Sequence, residues 1–139
     1  MNKIKGTITH IEVSQSLSLV RINVRGLSLN TIVIDTPETA AYLKVGNQIE
    51  AIFKATEVAI AINHHQLQIS MQNKLEGTVQ AIENGQLLSR VVVNTQAGAV
   101  TSVITTNAVQ QLGLTEGLKV VALVKTNEVM LSELWSGNP

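Results

Sequence analysis

The chain has 139 residues, with ten basic and ten acidic side chains, so its formal net charge is zero, and only 2% of its residues are aromatic. A neutral chain with few rings lacks the usual means of binding nucleic acid, which are basic side chains and stacking platforms. The sequence contains no cysteine, which excludes disulfides and thiolate sites. It also shows no apolar membrane span and no signal peptide, so we expect a cytoplasmic protein without a membrane partner.

The first half of the chain, in order, predicts three strands, a short helix and two more strands. The helix is placed at Thr36-Pro37-Glu38, because proline is favourable in the first helical turn. Residues 61–72 follow and contain Asn63-His64-His65-Gln66. This segment is interpreted as a polar turn in a final strand hairpin that leads into the second half.

The second half predicts the same elements in the same order. Its turns are marked by Asn84-Gly85 and Ala97-Gly98, which are typical turn dipeptides. A short helix is expected from an N-cap at Asn107 to Gly113. The predicted strands are rich in β-branched residues and cover Asn73 to Ile82, Leu87 to Thr95, Val100 to Thr105, Leu118 to Lys125 and Val129 to Ser132.

A shift of 71 residues aligns positions 2–60 with positions 73–131 without a gap, and 17 of the 59 pairs are identical. Two copies of one module explain this match. Each copy has the order β-β-β-α-β-β, which is typical of the five-stranded OB barrel. The predicted fold is therefore all-β with short helices, in two tandem OB-like five-stranded barrels. The predicted modules are residues 1–70 and 71–139.

Motifs for catalysis are missing from the sequence. The three histidines, His10, His64 and His65, do not recur between the copies, and neighbouring strand residues such as His64 and His65 would point to opposite faces. The chain has no H-E-x-x-H, G-x-S-x-G or Walker motif. We therefore predict a protein that is not an enzyme and has no metal site.

A hydroxyl-rich set that includes a lysine lies on the strands of the second copy. A buried oxyanion needs hydrogen-bond donors and compensating positive charge, which hydroxyls, backbone N–H groups and lysine supply. The same residues are also consistent with strand propensity and a solvated lysine, so chemistry alone leaves both interpretations open. The segments are Ser70-Met71-Gln72-Asn73, Thr101-Ser102-Val103-Ile104-Thr105 and Lys125-Thr126-Asn127-Glu128-Val129.

At these residues the chain resembles the Mop or TOBE family of molybdate-binding modules, and specifically its tandem two-module members. The match covers residues 2–132 and depends on the order of several short motifs. In the first copy these are Asn2 to Thr7, Leu43-Lys44-Val45-Gly46 and Ala51-Ile52-Phe53-Lys54-Ala55. In the second they are Asn73 to Val79, Thr101 to Thr105, Leu112-Gly113-Leu114-Thr115-Glu116-Gly117 and Ala122-Leu123-Val124-Lys125-Thr126.

The resemblance implies a cytoplasmic protein that binds molybdate or tungstate at interfaces of a homo-oligomer, most simply a trimer. It also implies which residues hold the anion. In the second copy these are Ser70, Gln72, Asn73, Ser102, Thr105, Lys125 and Thr126, and in the first copy they are Thr31 and Lys54.

The chain departs from the family pattern at several of these positions. The family arginine before the asparagine is Gln72 here and Met1 in the first copy, while Thr105 and Thr126 correspond to Ile34 and Ala55. We therefore expect the tighter sites in the second copy. Two alternatives from other classes remain: an OB-type interaction module without an anion, and the detached sensor domain of a molybdate-responsive regulator.

Overall fold

The computed structural model describes residues 1–62 and 67–134. Within these residues no helix is long and apolar enough to cross a bilayer. Two short 3-10 turns span Ala55–Glu57 and Thr126–Glu128. The other elements are β1 (Asn2–Ser14), β2 (Leu17–Val24), β3 (Leu27–Val33), β4 (Gln48–Phe53), β5 (Ala59–Ala61), β6 (Asn73–Asn84), β7 (Leu88–Thr95), β8 (Gly98–Thr105), α1 (Thr106–Leu112), β9 (Lys119–Val124) and β10 (Met130–Glu133).

The strands form two five-stranded antiparallel sheets, in the orders β10-β4-β1-β2-β3 and β5-β9-β6-β7-β8. In each sheet the first and last strands approach each other, so the sheet curls towards a barrel. The predicted mostly-β fold with two five-stranded units is confirmed. Its fifth strands, however, are exchanged: β5 from the first half completes the second sheet, and β10 from the second half completes the first.

The exchange corrects the predicted connection between the copies. The predicted hairpin would pair β5 with the strand that follows it, whereas β5 pairs with β9 through Ala59 opposite Leu123 and Ala61 opposite Val121. The polar turn predicted at residues 63–66 lies outside the described residues. The modules 1–70 and 71–139 remain a prediction about the sequence repeat, and each sheet draws on both of them.

Only the second of the two predicted helices forms. Its N-cap is Thr105 rather than Asn107, because the Thr105 hydroxyl oxygen accepts the Ala108 N–H at 3.0 Å. The helix ends as predicted at Gly113, which adopts the left-handed conformation with φ 63°.

In the first half the predicted helix is replaced by a tight turn. The Thr39 Oγ1 accepts the Thr36 N–H at 2.8 Å and donates to the Asp35 carboxylate at 3.1 Å. Such local bonds between side chains and backbone compete with a helical ladder.

The repeat seen in the sequence is reproduced in the local structure. Each copy has a bulge at the same point of its first strand, after Ile8 and after Val79. At each bulge a glycine N–H, of Gly46 or Gly117, donates to the carbonyl of that residue at 2.8 Å. These equivalent contacts show that the two copies adopt the same local structure.

Both halves contribute to a shared hydrophobic core. The larger buried cluster combines first-half residues such as Phe53 with second-half residues such as Leu75 and Val129. Val129 is buried because the exchanged segment carries it into the first sheet. Neither half buries this core alone, so the folding of each half depends on the other.

Candidate functional site

Two asparagines at the starts of β1 and β6 connect the halves of the chain. The Asn73 Nδ2 donates to the Asn30 carbonyl at 2.8 Å, and the Asn30 N–H donates to Asn73 Oδ1 at 2.7 Å. Asn2 makes the same pair of bonds with Thr101, at 2.9 and 2.8 Å. Because Asn30 and Thr101 lie on β3 and β8, the outer strands of the two sheets, each asparagine satisfies backbone groups at a sheet edge.

Two buried hydroxyls hold the exchanged segments in place. The Ser102 Oγ donates to the Val58 carbonyl at 2.6 Å, and the Thr31 Oγ1 donates to the Val129 carbonyl. Both side chains are fully buried. A hydroxyl has a single hydrogen to donate, so neither group can also donate to an anion while these bonds persist. The structure thus gives these two predicted site residues a role in joining the halves.

The paired hydrogen bonds of Asn2 and Asn73 are called the asparagine clamps below. An exposed lysine lies next to each clamp. Asn2 is opposite Phe53, and Asn73 is opposite Val124, so Lys54 and Lys125 directly follow the partners of the asparagines. Each lysine precedes a 3-10 turn, and its carbonyl accepts an N–H from the end of that turn, Glu57 or Glu128, at 3.0 Å. The backbone of each lysine is therefore held in place, while the residue as a whole is exposed.

Each lysine turn packs on the third strand of the other half. The turn after Lys54 lies against β8, and the turn after Lys125 lies against β3. This produces two equivalent composite clusters. The Asn73 cluster comprises Asn30, Thr31, Gln72, Asn73, Lys125 and Thr126; the Asn2 cluster comprises Met1, Asn2, Lys54, Ala55, Thr101 and Ser102.

Within one chain these clusters group the predicted residues differently from the repeat. The sequence repeat predicts that Lys125 lies close to Ser102 and Thr105, which are on the third strand of the same copy. In the structure the turn after Lys125 packs on β3, where Thr31 bonds to Val129, and Ser102 lies on the strand that packs against the turn after Lys54. The sequence pattern contains no signal for this crossing, because it identifies equivalent positions and not the copy that each strand joins.

The remaining predicted residues are Thr105, Ser70 and Thr126, of which only Thr105 lies well away from the clusters. Thr105 is three residues beyond Ser102, about 10 Å along the strand, where its hydroxyl oxygen caps α1. Ser70 is exposed on the segment that leads into β6, two residues before the exposed Gln72. Thr126 is half-buried in its 3-10 turn beside Lys125.

Sequence reasoning missed Asn30 and its neighbour Arg21. The Arg21 Nε donates to Asn30 Oδ1 at 3.4 Å, while the backbone of Asn30 is held by Asn73. Arg21 corresponds to Val92 in the second copy. Arg21 was therefore not predicted, because the site residues were chosen from positions that recur in both copies.

The chemistry on the open side of the Asn73 cluster suits an anion. It offers a lysine ammonium, the amide of Gln72 and the hydroxyl of Thr126, all of which are donors. At the three equivalent positions the Asn2 cluster retains only Lys54, because Met1 and Ala55 replace Gln72 and Thr126. Across residues 1–62 and 67–134 no group of three or more His, Asp or Glu side chains is placed to hold a metal.

Comparison with known proteins shows that the chain is similar to proteins named for molybdenum transport or binding. Residues 69–131 match the TOBE domain. The molybdenum-pterin-binding protein 3 of Clostridium pasteurianum is 35% identical over 66 residues, which are 47% of this chain and 97% of that protein. The molybdenum transport protein ModE of Herbaspirillum seropedicae is 29% identical over 135 residues, or 94% of this chain.

A solved structure resembles the whole fold. The cytoplasmic molybdate-binding protein ModG, in a form with molybdate bound, superposes with a TM-score of 0.88 at 29% identity, covering 96% of both chains. By contrast, the chain spans about half the length of ModE and of the molybdenum-pterin-binding protein MopA of Rhodobacter capsulatus, 49% and 50%.

Proposed function

We propose that this chain, which belongs to the TOBE family as a tandem Mop protein, binds molybdate or tungstate inside the cell for storage or buffering. The two composite clusters carry the proposal, since each places an exposed lysine beside a rigid asparagine clamp at an equivalent position. The relatives are described as binding and transport proteins, which supports binding rather than catalysis.

The proposed anion ligands are the groups left available at the clusters. In the Asn73 cluster these are the Lys125 ammonium, the Thr126 hydroxyl and the Gln72 side chain, with Ser70 on the adjoining segment. Lys54 is the equivalent cation of the Asn2 cluster. Asn73, Thr31 and Ser102 act by holding the backbone around the anion, and Thr105 is the most distant of the proposed ligands.

We propose further that the sites are completed by a homo-oligomer, most simply a trimer. Both lysines are exposed in the single chain, and a dianion needs donors on every side to offset its desolvation. A neighbouring subunit can supply the missing donors. Light scattering at micromolar protein should therefore give a mass well above the 14.9 kDa of one chain; the monomer mass would contradict this assembly.

Calorimetric titration of the intact protein with molybdate, tungstate and sulfate tests the function directly. We expect saturable binding of molybdate and tungstate, and little with sulfate. An anion that binds only the native state at a hundredfold excess over its Kd stabilises it by about 2.7 kcal/mol, so molybdate should also raise the Tm. Equal responses to molybdate and sulfate would indicate a general salt effect and would overturn the proposal.

The partial match to ModE favours a second candidate function, that of a sensor domain in a larger assembly. This chain covers 49% of ModE, as expected if it corresponds to one part of such an assembly. The same molybdate titration would be positive in this case. Co-purification of a DNA-binding partner in a molybdate-dependent manner would favour sensing over storage.

A further inference from the structure

A groove of about 440 Å³ lies on the outer face of the first sheet, and Asn30 belongs both to its lining and to the Asn73 cluster. Three strands present side chains to it in rows, as their pairing shows. One row is polar: His10 on β1 is opposite Arg21 on β2, which is opposite Asn30 on β3. The next row begins with Glu12 opposite Leu19, and Val45 closes the groove from the loop before β4.

The polar row is held by its own hydrogen bonds. The Arg21 Nε donates to Asn30 Oδ1 at 3.4 Å, and Asn30 is itself only 8% exposed. On the other side the Thr9 hydroxyl donates to the Arg21 carbonyl at 3.2 Å, and the His10 Nδ1 lies 3.0 Å from the same hydroxyl oxygen. Arg21 lines the groove and is exposed, so its guanidinium group is accessible to a ligand from solvent.

The second copy provides an internal comparison for this groove. The residues equivalent to His10, Arg21 and Asn30 are Ala81, Val92 and Thr101. The module therefore folds without a cation in this row. In the second copy the arginine stands one row away, where Arg90 is opposite Glu83. That arrangement places opposite charges side by side, whereas the polar row of the first copy contains no acidic member.

We propose that this groove is a second binding site, which takes small organic monocarboxylates. The carboxylate binds to the Arg21 guanidinium, because arginine presents a planar fork that matches a carboxylate. Leu19 and Val45 cover the apolar body of the ligand. A monoanion is favoured over a dianion because Glu12 also lines the groove and would repel a second negative charge. This proposal does not depend on molybdate binding at the lysine clusters.

Titration of the intact protein with benzoate, followed by amide chemical shifts in NMR spectra, tests the proposal. We expect saturable shifts around His10, Arg21 and Asn30 at millimolar benzoate, and none with benzyl alcohol or inorganic phosphate. Equal binding of benzyl alcohol would show an apolar groove without anion recognition. Equal binding of phosphate would show a site without an apolar component. Either result would overturn the proposal.

Variants that copy the second repeat supply matched controls. Arg21→Val and His10→Ala introduce the residues that the second copy has at the same positions, so both variants should fold. Arg21→Val should raise the benzoate Kd about tenfold or more, as expected for a lost charge-assisted bond. Arg90→Leu, which copies Leu19 into the second repeat, should leave binding unchanged. Unchanged affinity in Arg21→Val would overturn the assignment. Displacement of benzoate by molybdate would show one shared site and would overturn the inference of a second one.

Discussion

Ser102 and Val58 are joined by a buried hydrogen bond between the two halves of the chain, with the Ser102 Oγ donating to the Val58 carbonyl at 2.6 Å. At the spacing of 71 residues, Thr31 corresponds to Ser102 and Val129 corresponds to Val58. The Thr31 hydroxyl donates to the Val129 carbonyl, so this second bond runs from the first half to the second. Val58 and Val129 lie just before the exchanged strands β5 and β10. The two hydroxyls therefore fix the points at which the chain crosses between sheets.

Removal of the Ser102 hydroxyl should destabilise the whole protein. Ser102→Ala leaves the buried Val58 carbonyl without its donor, and an unsatisfied buried polar group costs about 1–3 kcal/mol. Urea unfolding should show this loss in the free energy of unfolding. Ser102→Thr keeps the hydroxyl and copies Thr31, so it should stay close to the parent protein. Equal losses in both variants would assign the effect to packing rather than to the hydrogen bond.

Separation of the chain at the repeat boundary should prevent each half from folding. A fragment of residues 1–70 lacks β10 from its sheet, and a fragment of residues 71–139 lacks β5. Each also exposes part of the shared core. Circular dichroism should show little native sheet in either fragment, and mixing them should restore it. A fragment that folds as a monomer would contradict the exchange.

The two lysines should contribute unequally to anion binding. Lys125 is accompanied by Gln72 and Thr126, whereas the equivalents beside Lys54 are Met1 and Ala55. Loss of a charged partner from a desolvated pair costs about 2–5 kcal/mol. We therefore expect Lys125→Ala to weaken molybdate binding by well over tenfold, and Lys54→Ala to weaken it less.

Calorimetric titration of both variants measures this difference. Lys119→Ala removes another exposed lysine, at the start of β9, and should leave the Kd unchanged. All three variants should keep the parent oligomer mass. Equal losses for Lys54 and Lys125 would disprove the asymmetry, and no loss in either would remove the lysines from the site.

Alkaline pH should destabilise the protein through Tyr42. Burial raises the pKa of Tyr42, and the charges of Asp35 and Glu133 raise it further. A group whose pKa is raised on folding contributes stability that is present below its unfolded pKa and is lost as the pH rises through its folded pKa. The free energy of unfolding should therefore fall above pH ~10, the usual tyrosine value.

Tyr42→Phe should flatten this alkaline decline, because phenylalanine does not ionise. The free energy of unfolding of both proteins, measured from neutral pH upward, gives the comparison. An identical alkaline slope in the variant would show that other groups cause the loss.

The sequence by itself determined the module and its duplication. Strand formation depends on local patterns such as alternating β-branched residues and turn dipeptides, and these are read directly from runs like Leu88–Thr95. Recurrence at a spacing of 71 residues identified the asparagines and lysines of the two clusters. The short helix ending at Gly113 was also predictable, since a left-handed C-terminal position favours glycine.

Only the tertiary structure decided which copies of these residues meet. A strand presents the same hydrogen-bonding edge to either sheet, so a repeated sequence carries no local signal that distinguishes self-pairing from exchange. The crossing of β5 and β10 brings the turn after Lys125 against β3, and the side chains of Ser102, Thr31 and Asn73 form hydrogen bonds that join the halves. Arg21 and His10 became visible in the same way, because a search for recurrent residues omits a surface that differs between the copies.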